Sequence, residues 1–151
     1  MACYVSLSFL QQFAVLPFFA PESDDFMALD MYTPKGCFGL KFPRFRIGNS
    51  YARPLPPAPH SVCSETALPV FNFPYLVAGD FHIHNSASGH SKLLSLKEEK
   101  ESAPYFNQAT DLGYTLLNTP GIYTRFPFTG THRPSTIDLA FANPDMFSSF
   151  P

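Results

Sequence analysis

Proline is the residue that most limits what this chain can fold into. Sixteen prolines are spread along 151 residues, well above the average share of about 5%. A proline inside a helix removes a backbone hydrogen bond and clashes with the preceding turn. The sequence therefore excludes a bundle of long helices. The densest run lies within residues 52–60, which we predict to be an exposed Pro-rich loop of polyproline II type.

The size and composition are those of one folded domain. Hydrophobic residues make up 45% of the chain, which is too many for intrinsic disorder. Ten basic against twelve acidic residues give a net charge of −2, which excludes a globally basic nucleic-acid-binding module but not a local phosphate site. Cys3, Cys37 and Cys63 show no metal-ligand spacing, so we expect buried thiols in a reducing compartment.

The first 21 residues are apolar and uncharged. A secretory signal would need a basic segment, and a membrane span would need about 20 mostly apolar residues without polar interruptions. The alternation of Val5, Leu7 and Phe9 with serines has the period of a half-buried strand. We therefore predict buried strands here, no membrane insertion, and an intracellular protein of the nucleus or cytoplasm.

Alternating and continuous apolar runs predict a mixed sheet protein with few helices. The predicted strands are residues 26–32, 45–51, 75–78, 114–117, 122–126 and 137–141. One helix is predicted to begin at Ser102, with Pro104 in its first turn, and to end before Gly113. The charged residues 97–101 are predicted to be a solvated surface.

Asp80 and His82 form the first candidate site. They follow the buried strand at residues 75–78, where polar groups can meet a ligand without being buried unpaired. In an extended segment both side chains point the same way. The alternative is that Asp80 only caps a turn.

Asp138 is the second candidate, because it lies within a predicted apolar strand. A carboxylate there needs a partner. Beside a histidine or a metal it would be functional, and beside Arg125 or Arg133 it would form a structural ion pair. A third candidate is the His82-x-His84 pair, which is predicted to place two imidazoles on one face of a strand, a spacing that zinc sites use. It suggests a zinc hydrolase as the last-ranked function.

Several stretches together carry a resemblance to a known family. Residues 75–84 (Tyr-Leu-Val-Ala-Gly-Asp-Phe-His-Ile-His) resemble the Gly-Asp-Phe-Asn-Ile-His signature of the endonuclease/exonuclease/phosphatase superfamily. The likeness is greatest to the endonuclease domain of LINE-type (non-LTR) retrotransposons. Residues 111–121, 124–126 and 133–139 resemble later segments of that domain in the same order, and residues 45–51 resemble an earlier strand.

The resemblance implies a fold, a reaction and roles for named residues. The fold would be α+β and deoxyribonuclease I-like, a four-layer α/β/β/α sandwich of two packed, mostly antiparallel sheets. The reaction would be Mg²⁺-assisted hydrolysis of DNA phosphodiester bonds, without a small-molecule cofactor. Asp80 matches the residue that positions or activates water and is a weak metal ligand. Tyr51 matches the residue that contacts phosphate, Asp138 the one that orients a catalytic histidine, and His82 stands where the family has Asn.

The chain also departs from the family pattern. No residue matches the family's metal-binding Glu or its catalytic His, which would lie beyond the two ends of the sequence. We therefore expect residues 1–151 to be a single partial domain, with core motifs at 44–51, 75–84, 111–126 and 133–141 and with weak or no hydrolysis. The alternative is a non-catalytic interaction protein or an expressed retroelement remnant.

Overall fold

The computed structural model describes most of the second half of the chain and shorter parts of the first. The described residues are 10, 13–19, 26–32, 44–51, 68, 70–89, 95–126 and 134–148. The strands are β1 (Ala14–Phe19), β2 (Phe26–Tyr32), β3 (Arg44–Tyr51), β4 (Tyr75–Asp80), β5 (Thr115–Leu116) and β6 (Asp138–Ala142). The helices are α1 (Leu96–Asp111) and α2 (Pro144–Ser148), and Ser86–Ser88 form a 3-10 turn. No helix in these ranges is long and apolar enough to cross a membrane.

The six strands form one sheet in the order β1-β2-β3-β4-β6-β5. All neighbouring strands are antiparallel except β3 and β4, which are parallel. The predicted α+β class with few helices is therefore confirmed. The described ranges contain this one sheet, whereas the resemblance implies two.

The core lies between α1 and the centre of the sheet. Tyr105 of α1 packs on Phe81 and Phe141, with ring centroids 5.3 Å and 5.6 Å away. Val77 is the register partner of Phe141 and belongs to the same buried cluster. Alternate residues of β4, such as Leu76, are only half-buried. The helix therefore covers one face of β4 and β6, and the ends of these strands are left at the edge of the core.

Helix α1 begins earlier than the sequence rules suggest. Ser95 is its N-cap, and Ser95 and Glu98 form a reciprocal capping box that satisfies two backbone N–H groups at once. Ser102, predicted to be the cap, is buried inside the helix, and Pro104 lies in the helix interior. The predicted stop is confirmed, because Gly113 follows the last turn with φ +72°.

The charge run predicted as surface forms the first turns of the same helix. Lys97 and Glu101 are an i,i+4 pair whose charged atoms are 3.7 Å apart.

Residues 122–126, which were predicted to be a strand, do not form one. Among them, only Arg125 makes an isolated antiparallel bridge, to Ser135. The Thr124 hydroxyl instead accepts hydrogen bonds from the backbone N–H groups of Ile137 and Asp138, both at 3.1 Å.

Some predictions concern residues that lie outside the described ranges. They are the strand of Val5, Leu7 and Phe9, the Pro-rich loop at 52–60, and the predictions for Cys3, Cys37, Cys63 and Arg133.

A buried ion-pair network holds β2 and β3 against the entry to β4. Asp30 accepts hydrogen bonds from Arg44 at 2.7 Å and from Arg46 at 2.9 Å. Burial tends to raise the pKa of Asp30, but the hydrogen bonds and charges of Arg46 and Arg44 outweigh it and lower that pKa. The guanidinium of Arg46 also lies 4.6 Å from the ring centre of Phe71. The ion pairs therefore join β2 to β3, and the Arg46–Phe71 contact links β3 to the segment that precedes β4.

Candidate active site

The ends of β3 and β4 approach each other unusually closely. A Cβ atom built on Gly79 would lie 1.8 Å from the carbonyl oxygen of Ser50, so only glycine fits. Asp80, the next residue, is the register partner of Tyr51. Glycine in the sequence before Asp80 therefore allows the carboxylate to lie beside the end of β3.

Asp80 and Asp138 lie directly opposite each other on β4 and β6. The N–H of Phe81 donates to the carbonyl of Ile137 at 2.9 Å, so residues 81 and 137 form a hydrogen-bonded pair. Residues 80 and 138 therefore form a non-hydrogen-bonded pair. In that kind of antiparallel pair the Cα atoms are about 4.5 Å apart and the side chains are close. The two candidate carboxylates, which are far apart in sequence, therefore meet at one place.

Three of the four predicted site residues form one row across the sheet. Tyr51, Asp80 and Asp138 stand side by side on three neighbouring strands. Because side chains alternate along a strand, Asp80 and Asp138 lie on the face opposite to Val77 and Phe141, away from helix α1. The carboxylates of Asp80 and Asp138 therefore stand where β4 ends and β6 begins, on the face that the helix does not cover.

Asp138 is not buried inside an apolar strand, contrary to the sequence-based expectation. It is the first residue of β6 and its side chain is exposed, so hydration removes the need for a paired charge. Arg133, one predicted ion-pair partner, lies outside the described residues. The charge of Arg125, the other, acts on Asp80.

Asn118, which sequence reasoning missed, holds the backbone of Asp138. The Asn118 amide donates to the carbonyl of Asp138 at 2.9 Å and accepts from the N–H of Ala140 at 2.8 Å. One side chain thus continues the edge that the short strand β5 begins. The only available signal was an Asn at the end of a strand before the Thr-Pro-Gly turn.

His82 binds both oxygens of Asp80. Its backbone N–H donates to Oδ1 at 3.1 Å, and its Nε2 lies 3.0 Å from Oδ2. Both side chains are partly exposed, 31% for His82 and 26% for Asp80. The prediction that Asp80 and His82 lie together is confirmed. The cause differs, because His82 has φ +49° and is not extended.

The pKa of Asp80 is raised above its ordinary value. Partial burial is the main cause, and the facing carboxylate of Asp138 adds to it. The N–H and imidazole of His82 and the charge of Arg125 lower the pKa, but they offset only part of the increase. The protonated form of this carboxylate is therefore favoured more than in a free aspartate.

His82 and His84 do not share one face of a strand, so that prediction is wrong. Residues 81–85 are not a strand, and the left-handed backbone of His82 breaks the alternation. The charge of His84 acts on Glu98 of α1. Within the described ranges, no group of three or more His, Cys, Asp or Glu side chains is arranged to hold a metal.

The segment that leaves the site is tied to helix α1. Asn85 donates to the Ser102 hydroxyl at 2.9 Å, and the backbone N–H of Ser86 donates to Glu99 at 3.0 Å. This explains why Ser102 is buried in the helix rather than capping it.

The same segment contacts the turn at residues 119–122. Gly121 donates its N–H to the carbonyl of Ser88 at 3.2 Å. A Cβ atom on Gly89 would lie 2.2 Å from the nitrogen of Gly121. The loop after His82 is therefore packed between the helix and this turn.

Comparison with known proteins finds a likeness in structure. No protein-family model matches the chain, and no curated protein matches it in sequence. A solved structure, the endonuclease domain of TRAS1, a telomere-specific non-LTR retrotransposon, superimposes with a TM-score of 0.59 at 15% sequence identity. The chain shares the fold of that endonuclease domain. The match covers 89% of this chain and 58% of the TRAS1 domain, and it agrees with the deoxyribonuclease I-like architecture that the sequence resemblance implies.

A directly bound Mg²⁺ ion would need free carboxylate oxygens at this edge of the sheet. Mg²⁺ is commonly held by one or two carboxylates and several waters, which the opposed Asp80 and Asp138 could supply. However, both oxygens of Asp80 already accept from His82. As arranged here, His82 competes with a directly bound Mg²⁺ for the Asp80 oxygens, so the described residues fit the ion poorly.

Proposed function

We propose that this chain is part of an endonuclease domain of the non-LTR retrotransposon kind, which hydrolyses DNA phosphodiester bonds with Mg²⁺ as its cofactor. The observation that supports it is the row of Tyr51, Asp80 and Asp138 across three strands, in a chain with the fold of such a domain. These residues come from stretches that resemble that family independently of the superposition.

Each residue of the row has a proposed role. Asp80, half-buried with a raised pKa, positions or activates the attacking water. Tyr51 contacts the phosphate. Asp138 is exposed beside Asp80 and orients a catalytic group of the complete domain. His82 occupies the position from which the family's amide would bond beside Asp80.

The chain by itself is proposed to hydrolyse DNA weakly or not at all. Asp80 is held by both donors of His82, so it is a poor partner for a water molecule or a cation. Loss of one member of a catalytic unit costs orders of magnitude in rate.

Plasmid nicking tests this proposal. We expect any nicking of supercoiled DNA to be slow and Mg²⁺-dependent, to disappear in Asp80→Ala and Asp138→Ala, and to persist in Asp111→Ala, an exposed acidic residue at the end of α1. Nicking that both site variants leave unchanged would contradict the site. Fast nicking by the unaltered chain, abolished by Asp80→Ala, would contradict the claim of weak activity.

A second candidate function is binding without catalysis. Large apolar side chains stand exposed at Leu96 (92%), Val70 (75%) and Phe126 (69%), and exposed apolar surface can mark a protein-binding site. Cooperative thermal unfolding without any nicking would favour a binding module. Aggregation of the purified chain would favour a remnant.

A further inference from the structure

We propose that His82 acts as an internal ligand of Asp80 that keeps divalent cations away from the two carboxylates. Residue 82 then decides whether this edge of the sheet binds a metal. The inference rests on the proposed function only for the choice of cation, and it concerns binding rather than cleavage.

Each oxygen of the Asp80 carboxylate contacts a nitrogen atom of His82. Nε2 of His82 lies 3.0 Å from Oδ2, and the His82 backbone N–H lies 3.1 Å from Oδ1. A Mg²⁺ ion must approach a carboxylate oxygen to about 2.0–2.1 Å in an octahedral arrangement. At Oδ2 it would have to compete with the imidazole for the lone pairs of that oxygen.

Burial does not prevent a cation from reaching the two carboxylates. The side chain of Asp80 is 26% exposed, and that of Asp138 is exposed at the start of β6. A hydrated ion can therefore reach both. The Asp138 carboxylate also repels the charge of Asp80 and raises its pKa, so a cation between the two would relieve the repulsion. The charge of Arg125 also acts on Asp80.

The backbone conformation of His82 is one that asparagine also adopts. Its φ of +49° is a left-handed conformation in which Asn, Asp and His are the common non-glycine residues. Asn keeps this conformation and the N–H bond to Oδ1, and it carries no imidazole. His82→Asn therefore removes the contact at Oδ2 with little strain, whereas His82→Ala would add backbone strain.

Manganese binding by the full chain tests the inference, with Mn²⁺ as the probe and electron paramagnetic resonance as the readout. We expect His82→Asn to bind Mn²⁺ at least about tenfold more tightly than the unaltered chain, because a charge-assisted hydrogen bond no longer competes. The gain should vanish in the double variant His82→Asn/Asp80→Asn. His84→Asn, which removes the imidazole acting on Glu98, should leave the affinity unchanged.

Equal affinities of the unaltered chain and His82→Asn would overturn the inference, as would a gain that survives Asp80→Asn. If His82→Asn does not unfold cooperatively, His82→Gly, which tolerates the same φ, replaces it with the same expectations. A gain in Mn²⁺ affinity without DNA nicking would leave both this inference and the proposed function standing, whereas nicking that Asp80→Ala and Asp138→Ala leave unchanged would contradict the proposed function alone.

Discussion

The position of Asp80 depends on its neighbour Gly79. The carbonyl oxygen of Ser50 occupies the space that any side chain at Gly79 would need. Because β3 and β4 are parallel neighbours here, this contact sets the distance between Tyr51 and Asp80. Glycine at this residue is thus a condition of the candidate site.

Replacing Gly79 by Ala should lower the free energy of unfolding by about 3 kcal/mol or more, because the new methyl group collides with backbone atoms. The matched control is Gly121→Ala, since Gly121 has φ +82° but no atom within 4 Å of the place that a Cβ would take. That change should cost only about 1–2 kcal/mol of left-handed strain. Urea unfolding measures both, and equal losses would contradict the close approach.

At this scale the sequence supplied the identity of the site residues but not their contacts. Asp80 and Asp138 could be selected because carboxylates next to apolar strands need an explanation. The contacts of His82 with both oxygens of Asp80 could not be predicted, because they depend on a left-handed backbone at His82. The part played by Asn118 depends on how far β5 extends beside β6, which no local pattern encodes.

Among the elements, strands were easier to predict than the helix. Strands β2 and β3 follow local apolar alternation and agree with prediction to within a residue. The start of α1 differs from the predicted Ser102 because the Ser95–Glu98 capping box, rather than Ser102 and Pro104, marks the first turn. Packing of Tyr105 against the sheet stabilises a helix that carries a proline in its interior.

Pro104 should therefore be a removable defect in α1. Its side chain is exposed, and it cannot donate to the carbonyl four residues earlier. Pro104→Ala should raise the free energy of unfolding by about 1–3 kcal/mol. Pro120→Ala is the control, because Pro120 lies in a turn closed by the N–H of Ile122 on the Thr119 carbonyl, where proline is favourable. Thermal unfolding compares them, and a stability loss in Pro104→Ala would contradict the interior placement.

In the whole molecule, the order of strands was the least predictable feature. The parallel pairing of β3 with β4 joins segments separated by residues 52–74, and β6 inserts between β4 and β5. Such non-local pairings leave little trace in local periodicity. The resemblance to retrotransposon endonucleases, rather than any pattern of the chain itself, implied that Asp80 and Asp138 would meet.

Nuclear magnetic resonance of the full chain tests that meeting most directly. Asp80 and Asp138 are predicted to be a non-hydrogen-bonded antiparallel pair, the kind in which the two Cα atoms are closest. A strong nuclear Overhauser effect between the Hα protons of Asp80 and Asp138 is the expected result. An Hα contact of Asp80 with Ile137 or Leu139 instead, or none with β6, would show that the two carboxylates do not form one site.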